Sequence, residues 1–91
     1  MKKVKIGFVG AGFNGQLIHI SNYYKINKCE LIAIAEPRPI LRNLVAKKYN
    51  IKYQYSNHLD LIKNHKKLDA VVIVTKRQMI GPIAYDFLKN N

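Results

Sequence analysis

Short apolar runs and segments of helical periodicity alternate along the whole chain of 91 residues. The first apolar run covers residues 4–9 and ends at Gly10, and continuous runs follow at residues 31–35 and 70–74. These runs are too short for helices and are typical of strands that are buried on both faces of a parallel sheet. Together with a shorter aromatic segment at residues 53–55, the pattern predicts four strands.

Apolar residues at helical spacing lie between these strands. A first helix is expected from Asn14 onward, directly after a group of glycines. A second is expected just after Pro39, because the fixed φ of proline suits the first turn of a helix, and Asn50 is expected to stop it. The apolar faces of these two helices consist of Leu17, Ile20 and Tyr24, and of Leu41, Leu44, Val45 and Tyr49.

Two further helices are predicted in the second half of the chain. Ser56 or Asn57 can cap the first of them, since both side chains accept hydrogen bonds from the free amides at a helix start. The other helix follows residues 75–78, and Pro82 is expected to be tolerable only within its first turn. The apolar residues of these helices are Leu59 and Ile62, and Ile80, Ile83, Ala84, Phe87 and Leu88.

The alternation of strands with helices predicts the fold class. Short connections imply right-handed β-α-β units, and hence an α/β fold with a doubly wound parallel sheet. We expect a partial Rossmann fold of about four strands with helices on both faces, formed by a single domain over residues 1–91. In the doubly wound order the first and fourth strands are neighbours, and a ligand crevice opens at their carboxyl ends, where Gly10 and Thr75 lie.

A glycine motif lies at this predicted crevice. Gly10, Gly12 and Gly15 form a GxGxxG pattern that follows a strand and opens a helix, with Phe13 and Asn14 inside it. In this context the glycines permit a tight turn, a close approach of a pyrophosphate to the backbone, and close packing of the helix on the strand. The free amides and the dipole of the helix start neutralise the phosphates. A tight turn without a ligand is the simpler alternative.

The position of Glu36 favours a bound dinucleotide over a turn without a ligand. It lies 21 residues after Gly15, at the carboxyl end of the second predicted strand, where a carboxylate accepts hydrogen bonds from ribose hydroxyls. The sequence therefore predicts a dinucleotide site. Glu36 favours NAD because a carboxylate repels a 2′-phosphate, but Arg38 could reach that phosphate if Glu36 turned aside, so NADP stays an alternative. Arg38 could equally be a solvated loop cation.

The chain resembles the amino-terminal domain of the Gfo/Idh/MocA oxidoreductases, over all 91 residues. The resemblance rests on residues 4–12, 34–38, 44–49 and 68–75. It implies a NAD(P)-dependent enzyme that transfers hydride between nicotinamide and a sugar- or polyol-like substrate. In the family, the loop after the fourth strand lines the cofactor crevice. This implies cofactor contacts for Thr75 and Lys76, although Lys76 replaces the family's usual proline.

The family's catalytic lysine belongs to a Glu-Lys-Pro motif that this sequence does not contain. The resemblance therefore assigns no catalytic residue here, and it implies an incomplete domain that binds nucleotide but lacks the carboxyl-terminal catalytic domain. A small-molecule substrate is then expected only for a longer parent protein. The alternative is a non-catalytic module that senses NAD(H) or regulates a partner. A methyltransferase on the same sheet is disfavoured by the third motif glycine.

The amino-acid composition limits the classes of partner that the chain is expected to bind. Lys and Arg number 16 against five carboxylates, which gives a formal net charge of +11 and favours anionic partners. The lysines cluster only in pairs, so no nucleic acid partner is expected. Cys29 is expected to be a buried thiol in a reducing compartment, and no apolar stretch is long enough for a membrane span, so we expect a cytoplasmic protein. His19, His58 and His65 lack metal-ligand spacing, so no metal is expected.

The fourth predicted strand affects the expected stability, since no fifth strand follows it in this sequence. Residues 71–75 would then present an unpaired apolar edge. The isolated chain is therefore expected to be marginally stable, or to self-associate through that edge.

Overall fold

The structure, a computed structural model, describes residues 3–10, 25–26, 28–73 and 77–89. The strands are β1 (Val4–Val9), β2 (Cys29–Ala35), β3 (Tyr53–Tyr55) and β4 (Ala70–Ile73). The helices are α1 (Pro39–Lys48), α2 (His58–Asn64) and α3 (Arg77–Lys89). The helix expected from Asn14 lies outside the described residues. None of the helices within these ranges is both long enough and apolar enough to cross a membrane.

The four strands form one sheet in the order β3-β2-β1-β4. β1 pairs with β2 on one side and with β4 on the other, β2 also pairs with β3, and all three pairings are parallel. The winding thus reverses at β1, as the doubly wound order requires. The predicted α/β fold is confirmed. Among the described strands β4 pairs only with β1, and its pairing with a second copy of the chain stays a prediction.

Helices cover both faces of the sheet, and each face has its own core. The core of the first face consists of Ile6, Phe8, Leu31, Ile34, Val45, Ala46, Tyr49 and Ile51. The core of the second face consists of Val9, Ala33, Ala35, Leu61 and Ile83. Successive strand residues point to opposite faces, so each central strand contributes to both cores. α1 therefore covers the first face, and α2 and α3 cover the second.

Local side chains set the ends of α1 and α2. Pro39 lies in the first turn of α1, as predicted. Asn50, just after the helix, has a φ of 55°, the left-handed conformation in which asparagine often ends a helix, so the predicted stop is confirmed. Asn57, and not Ser56, caps α2, because its side chain accepts a hydrogen bond from the amide of Asp60 at 2.9 Å.

The expectation that Pro82 lies within the first turn of its helix is wrong. Pro82 is the sixth residue of α3. A proline at this position leaves the carbonyl group of Gln78 without its usual amide partner, but Gln78 is exposed and water can bind the carbonyl oxygen. Gly81, which precedes the proline, lacks the Cβ atom that would otherwise press against the proline ring.

Four apolar residues that were expected on buried helix faces are exposed: Leu44, Leu59, Ile80 and Leu88. In α1 the buried stripe runs through Val45 and Tyr49, and Leu44 is turned about 100° away from Val45 around the helix axis. α3 contacts the sheet beside its edge strand β4, so only a narrow stripe around Ile83 is buried. The periodicity thus located the buried stripes correctly and overestimated their width.

Candidate functional site

The carboxyl ends of β1 and β2 meet at one edge of the sheet. Val9 and Ala35, the last residues of the two strands, pair in register. Gly10 follows, donates its amide to the carbonyl oxygen of Ala35 at 2.8 Å, and has a φ of 90°. Glycine adopts this φ without steric cost, whereas a side chain here would strain the backbone. The backbone at the first motif glycine therefore has a conformation that favours glycine.

Glu36 follows β2 at the same edge and is only 2% exposed. Its amide donates to the carbonyl oxygen of Tyr55 at 2.9 Å, so the hydrogen-bond ladder between β2 and β3 continues through this residue. A carboxylate that is buried to this degree requires partners, because an unpaired buried charge is costly. The main chain thus fixes an acidic side chain one strand away from Gly10.

Arg38 supplies three hydrogen bonds to the Glu36 carboxylate. Its amide and its Nε atom donate to Oε2 at 2.9 and 2.8 Å, and its Nη2 atom donates to Oε1 at 3.2 Å. The guanidinium is therefore bidentate, which is the strong geometry for such a pair. The hydrogen bond to Glu36, and then the charge of Glu36, raise the pKa of Arg38. Arg38 is thus an ion-pair partner and not merely a solvated cation.

Arg42 is a further member of this charged group that the sequence analysis missed. Its Nη1 atom donates to the carbonyl oxygen of Glu36 at 2.9 Å. Its amide donates to the carbonyl oxygen of Arg38, also at 2.9 Å. Within the described residues, its Nε atom is buried without a hydrogen-bond partner. Spacing was the available signal, because residues four apart at a helix start lie on one side of the helix.

The start of α1 adds positive charge to this edge of the sheet. Among the residues that the structure describes, no side chain caps its first turn, and that turn contains no acidic residue. The free amides of a helix start act as a partial positive charge. Two guanidinium groups and a helix start therefore lie close to one carboxylate, and this combination suits an anionic group.

The structure brings three of the predicted cofactor-binding residues together: Gly10, Glu36 and Arg38. The other predicted residues lie outside the described part of the chain: Gly12, Phe13, Asn14, Gly15, Thr75 and Lys76. Ile73, the last residue of β4, pairs with Val9 of β1. β4 therefore ends at the same edge of the sheet as β1, as the predicted crevice requires.

Two histidines occupy packing positions around α2. His65 Nε2 lies 2.7 Å from the hydroxyl of Tyr55, and the ring centroids of His65 and Tyr53 are 4.7 Å apart. Burial lowers the pKa of His65 and is the main cause that raises the pKa of Tyr55. His58 Nε2 lies 2.8 Å from Asp86 and joins α2 to α3. In the described ranges, no three His, Cys, Asp or Glu side chains form a group that could hold a metal.

An open groove of about 1050 Å³ lies at the opposite edge of the sheet. It is lined at the amino ends of β1 and β2 by residues that include Lys3, Cys29 and Glu30. Cys29 is only half-buried, because it begins β2 at the rim of this groove. Ligands of open parallel sheets bind at the carboxyl ends of the strands, so this groove is not the predicted crevice.

Comparisons with known proteins agree with this geometry. Residues 4–91 match the Gfo/Idh/MocA family, described as "Oxidoreductase family, NAD-binding Rossmann fold". Among solved structures, scyllo-inositol dehydrogenase from Lactobacillus casei, with bound NAD(H) and scyllo-inositol, is 27% identical to this chain and superposes with a TM-score of 0.87. Biliverdin reductase from Synechocystis sp. PCC 6803, in complex with biliverdin and NADP⁺, is 24% identical with a TM-score of 0.80.

The coverage of these matches is asymmetric. The match to the L. casei enzyme covers 98% of this chain and 26% of the enzyme, and the match to the biliverdin reductase covers 96% and 27%. The chain thus spans about a quarter of the solved chains that it matches. At 24% identity the biliverdin reductase shows the shared fold alone. The comparison with curated proteins finds no match.

Proposed function

Because this chain belongs to the Gfo/Idh/MocA oxidoreductase family, we propose that it binds a nicotinamide dinucleotide at the carboxyl ends of β1 and β2. We further propose that residues 1–91 are the amino-terminal, dinucleotide-binding part of a longer oxidoreductase. The second proposal is supported by the coverage of the L. casei enzyme, of which this chain spans 26%. In that longer protein, hydride would pass between nicotinamide and a sugar- or polyol-like substrate.

The position of the Glu36 carboxylate is the observation that carries the proposal. Glu36 is buried, directly follows β2, and lies one strand from Gly10, whose φ is positive. In doubly wound sheets this position faces the ribose of a dinucleotide, and a carboxylate there accepts hydrogen bonds from the ribose hydroxyls.

The remaining contacts are proposed from the sequence motif. Gly12, Phe13, Asn14 and Gly15 would offer backbone amides to the pyrophosphate, in the loop that begins at Gly10. Thr75 and Lys76 would line the crevice after β4, which ends beside β1. The local positive charge from Arg38, Arg42 and the start of α1 would offset the charge of the phosphates.

The bound nicotinamide supplies the hydride chemistry, and this chain contributes binding and orientation. We assign no catalytic residue among residues 1–91. The proposed substrate class for the longer protein is supported by the L. casei relative, which was solved with bound scyllo-inositol.

Calorimetric titration of the purified protein with NAD⁺ tests the proposed site. Glu36→Gln removes the charge and keeps the shape of the side chain, and the NAD⁺ affinity should fall about tenfold, the cost of a charge-assisted hydrogen bond. Glu30→Gln is the matched control, because Glu30 is an exposed carboxylate on the same strand. Its affinity for NAD⁺ should equal that of the unchanged protein.

Two salt concentrations are needed, because the net charge of +11 attracts any anion and salt screens such attraction. Specific binding should persist at the higher salt concentration. A folded protein that binds no NAD⁺ or NADP⁺ would refute the proposed function, and so would binding that responds equally to Glu36→Gln and Glu30→Gln.

A further inference from the structure

One side of β2 is only partly covered by a neighbouring strand. On its other side β2 pairs with β1 along its full length, whereas β3 pairs only with residues 33–35, because β3 begins at Tyr53 and contains three residues. Among the described strands, none lies beside residues 29–32 on the side of β3. The amide of Cys29 donates to the carbonyl oxygen of Ile26 at 3.0 Å, so residues 30–32 form the open edge of β2. Such an edge presents main-chain groups that another strand can bind.

A groove follows this open edge. It is the groove of about 1050 Å³ described above, and its lining includes the four consecutive residues 29–32. Successive side chains of a strand point to opposite faces of the sheet, and Leu31 packs in the first core while Ile32 packs against the second. A groove that touches both residues therefore runs along the edge of the strand. Lys52 and Tyr53, where β3 begins, also line it, so the groove occupies the space that a longer β3 would fill.

The groove carries more positive than negative charge. Lys3, Lys25 and Lys52 line it, and all three are exposed. Glu30 is the only carboxylate among the described residues of the lining. None of the three lysines forms an ion pair with another described residue. An acidic ligand in the groove would therefore meet three cations and one repelling group.

The aromatic residues of the groove argue against a single-stranded nucleic acid as its ligand. Bases would need open aromatic rings on which to stack. The Nζ atom of Lys52 lies 5.3 Å from the ring centroid of Tyr53, and the ring centroid of His65 lies 4.7 Å from it. Tyr49 is buried. Contacts within the protein therefore engage both tyrosine rings, whereas no described strand covers the main-chain edge.

We propose that the open edge of β2 binds an extended acidic segment of a partner protein as an added strand. The main chain of the segment would form ladder hydrogen bonds with residues 30–32, and its acidic side chains would meet Lys25 and Lys52. A second copy of this chain is a poor occupant, because its net charge is +11. The groove lies at the amino ends of the strands, so this proposal does not rest on the proposed dinucleotide site at their carboxyl ends.

Fluorescence anisotropy with a labelled synthetic peptide tests the proposal. The probe has about eight residues, and glutamate alternates with serine or leucine, so that the acidic side chains lie on one side of an extended chain. A neutral peptide with glutamine in place of each glutamate is the control. At a salt concentration near physiological, the purified protein should bind the acidic peptide about tenfold more tightly. Equal affinity for the two peptides would overturn the proposal.

Two N-methylated forms of the acidic peptide test the main-chain hydrogen bonds. Alternate amides of an added strand face the neighbouring strand, and the others face away from it. One form carries methyl groups on the odd-numbered amides and the other on the even-numbered amides. One of the two forms should bind about tenfold more weakly than the other, because it loses the inward-facing donors. If the two forms bind equally well, the peptide is not an added strand and the proposal is wrong.

Substitutions of the lining residues test the location of the site. Lys25→Ala combined with Lys52→Ala should weaken binding of the acidic peptide about fivefold. Lys63→Ala combined with Lys89→Ala is the matched control, because it removes the same charge from exposed positions on α2 and α3 and should change the affinity less than about twofold. Glu30→Gln should instead strengthen binding about twofold, since a repelling carboxylate is lost. Equal losses in the two double variants would reduce binding to net charge and overturn the proposal.

Two competitors distinguish this site from the alternatives. NAD⁺ should leave the bound peptide in place, and displacement by NAD⁺ would show that the peptide binds at the carboxyl ends of the strands instead. Oligouridine of about eight nucleotides should compete more weakly than the unlabelled acidic peptide. Equal competition would make nucleic acid the ligand and overturn the proposal. A protein that binds the peptide as described but binds no NAD⁺ would refute the proposed function and support this one.

Discussion

The two faces of the sheet fill their cores in different ways. On the first face the strands contribute large side chains such as Phe8, which is fully buried in the core that also contains Val45 and Ala46 of α1. On the second face the centre of the sheet presents the small residues Gly7, Ala33 and Ala35, and the large fully buried side chain is Leu61 of α2. The larger strand side chains that pack there are Val9 and the partly buried Ile32, Val71 and Ile73. Both arrangements reach a filled core, because large residues on one layer meet smaller ones on the other.

This difference determines which substitutions each face tolerates. On the second face, side chains pack closely over Gly7 of β1. A Cβ atom on Gly7 would lie 2.7 Å from Cδ1 of Leu68 and 3.6 Å from Cδ2 of Leu61. The first face should therefore suffer most from lost volume, and the second from added volume. The two faces of the sheet should therefore respond differently to the same kind of substitution.

The largest effect is expected from lost volume on the first face. Phe8→Ala should lower the free energy of unfolding by about 3–5 kcal/mol, because it removes a ring that has no exposed surface and leaves a cavity. Urea unfolding followed by circular dichroism measures this change. Leu44→Ala on the outer side of α1 is the control, and it should change the free energy by no more than about 0.5 kcal/mol.

Phe8→Ala alone could prevent folding in a small domain, so Phe8→Leu supplies a second point, with an expected loss of about 1–2 kcal/mol. Equal losses for Phe8→Leu and Leu44→Ala would show that the first face does not depend on its volume.

A smaller effect is expected from added volume on the second face. Gly7→Val should lower the free energy of unfolding by about 1–3 kcal/mol, because its branched side chain meets both Leu68 and the fully buried Leu61. Gly7→Ala is the graded control and should be close to neutral. Its single methyl group meets the end of the partly buried Leu68 side chain, which can move, and alanine is favoured over glycine in a strand.

The same urea experiment distinguishes these two variants. If Gly7→Val proved as stable as Gly7→Ala, the second face would have spare room, and the contrast between the two faces would be wrong.

The smallest effect is a pH dependence near β3, where Tyr55 packs against the second core. Burial lowers the pKa of His65 in the folded protein, and His65 Nε2 lies 2.7 Å from the Tyr55 hydroxyl. The unfolded chain therefore takes up a proton on His65 at a higher pH, near 6.5, than the folded chain does. The free energy of unfolding should fall as the pH drops below this value, and the fall should end below the folded pKa.

Urea unfolding at several pH values between 5 and 8 measures the effect as the difference between the unchanged protein and His65→Gln. Glutamine can still bind the Tyr55 hydroxyl and does not titrate in this range. The pH dependence of the variant should be shallower. Identical pH profiles for the two proteins would show that protonation of His65 is not coupled to unfolding.

The sequence predicts the elements and their order well, because its signals are local. Continuous apolar runs marked the buried strands, and Pro39, Asn50 and Asn57 marked helix ends through their own backbone and capping preferences. The width of the buried helix faces was not predictable in this way. Leu44 is exposed because α1 turns Val45 and Ala46 toward the sheet, and this orientation is a property of the assembled fold.

The candidate site shows the same division. The glycine at position 10 and the acidic residue at position 36 are predicted from residue type and spacing. In the structure they follow two adjacent strands. The bidentate pairing of Arg38 with Glu36 depends on side-chain rotamers around a buried carboxylate. The contact of Arg42 with the Glu36 carbonyl group depends on where α1 begins relative to β2. Both require tertiary geometry that no short window of sequence contains.

The ladder hydrogen bond from the Glu36 amide to the Tyr55 carbonyl oxygen has a consequence for the evolution of the site. The main chain fixes where residue 36 stands through a hydrogen bond that every residue except proline can donate. A single nucleotide change could therefore replace the acidic group without moving the scaffold around it. If Glu36 binds the ribose as proposed, the residue type that meets the cofactor can change while the sheet that supports it stays the same.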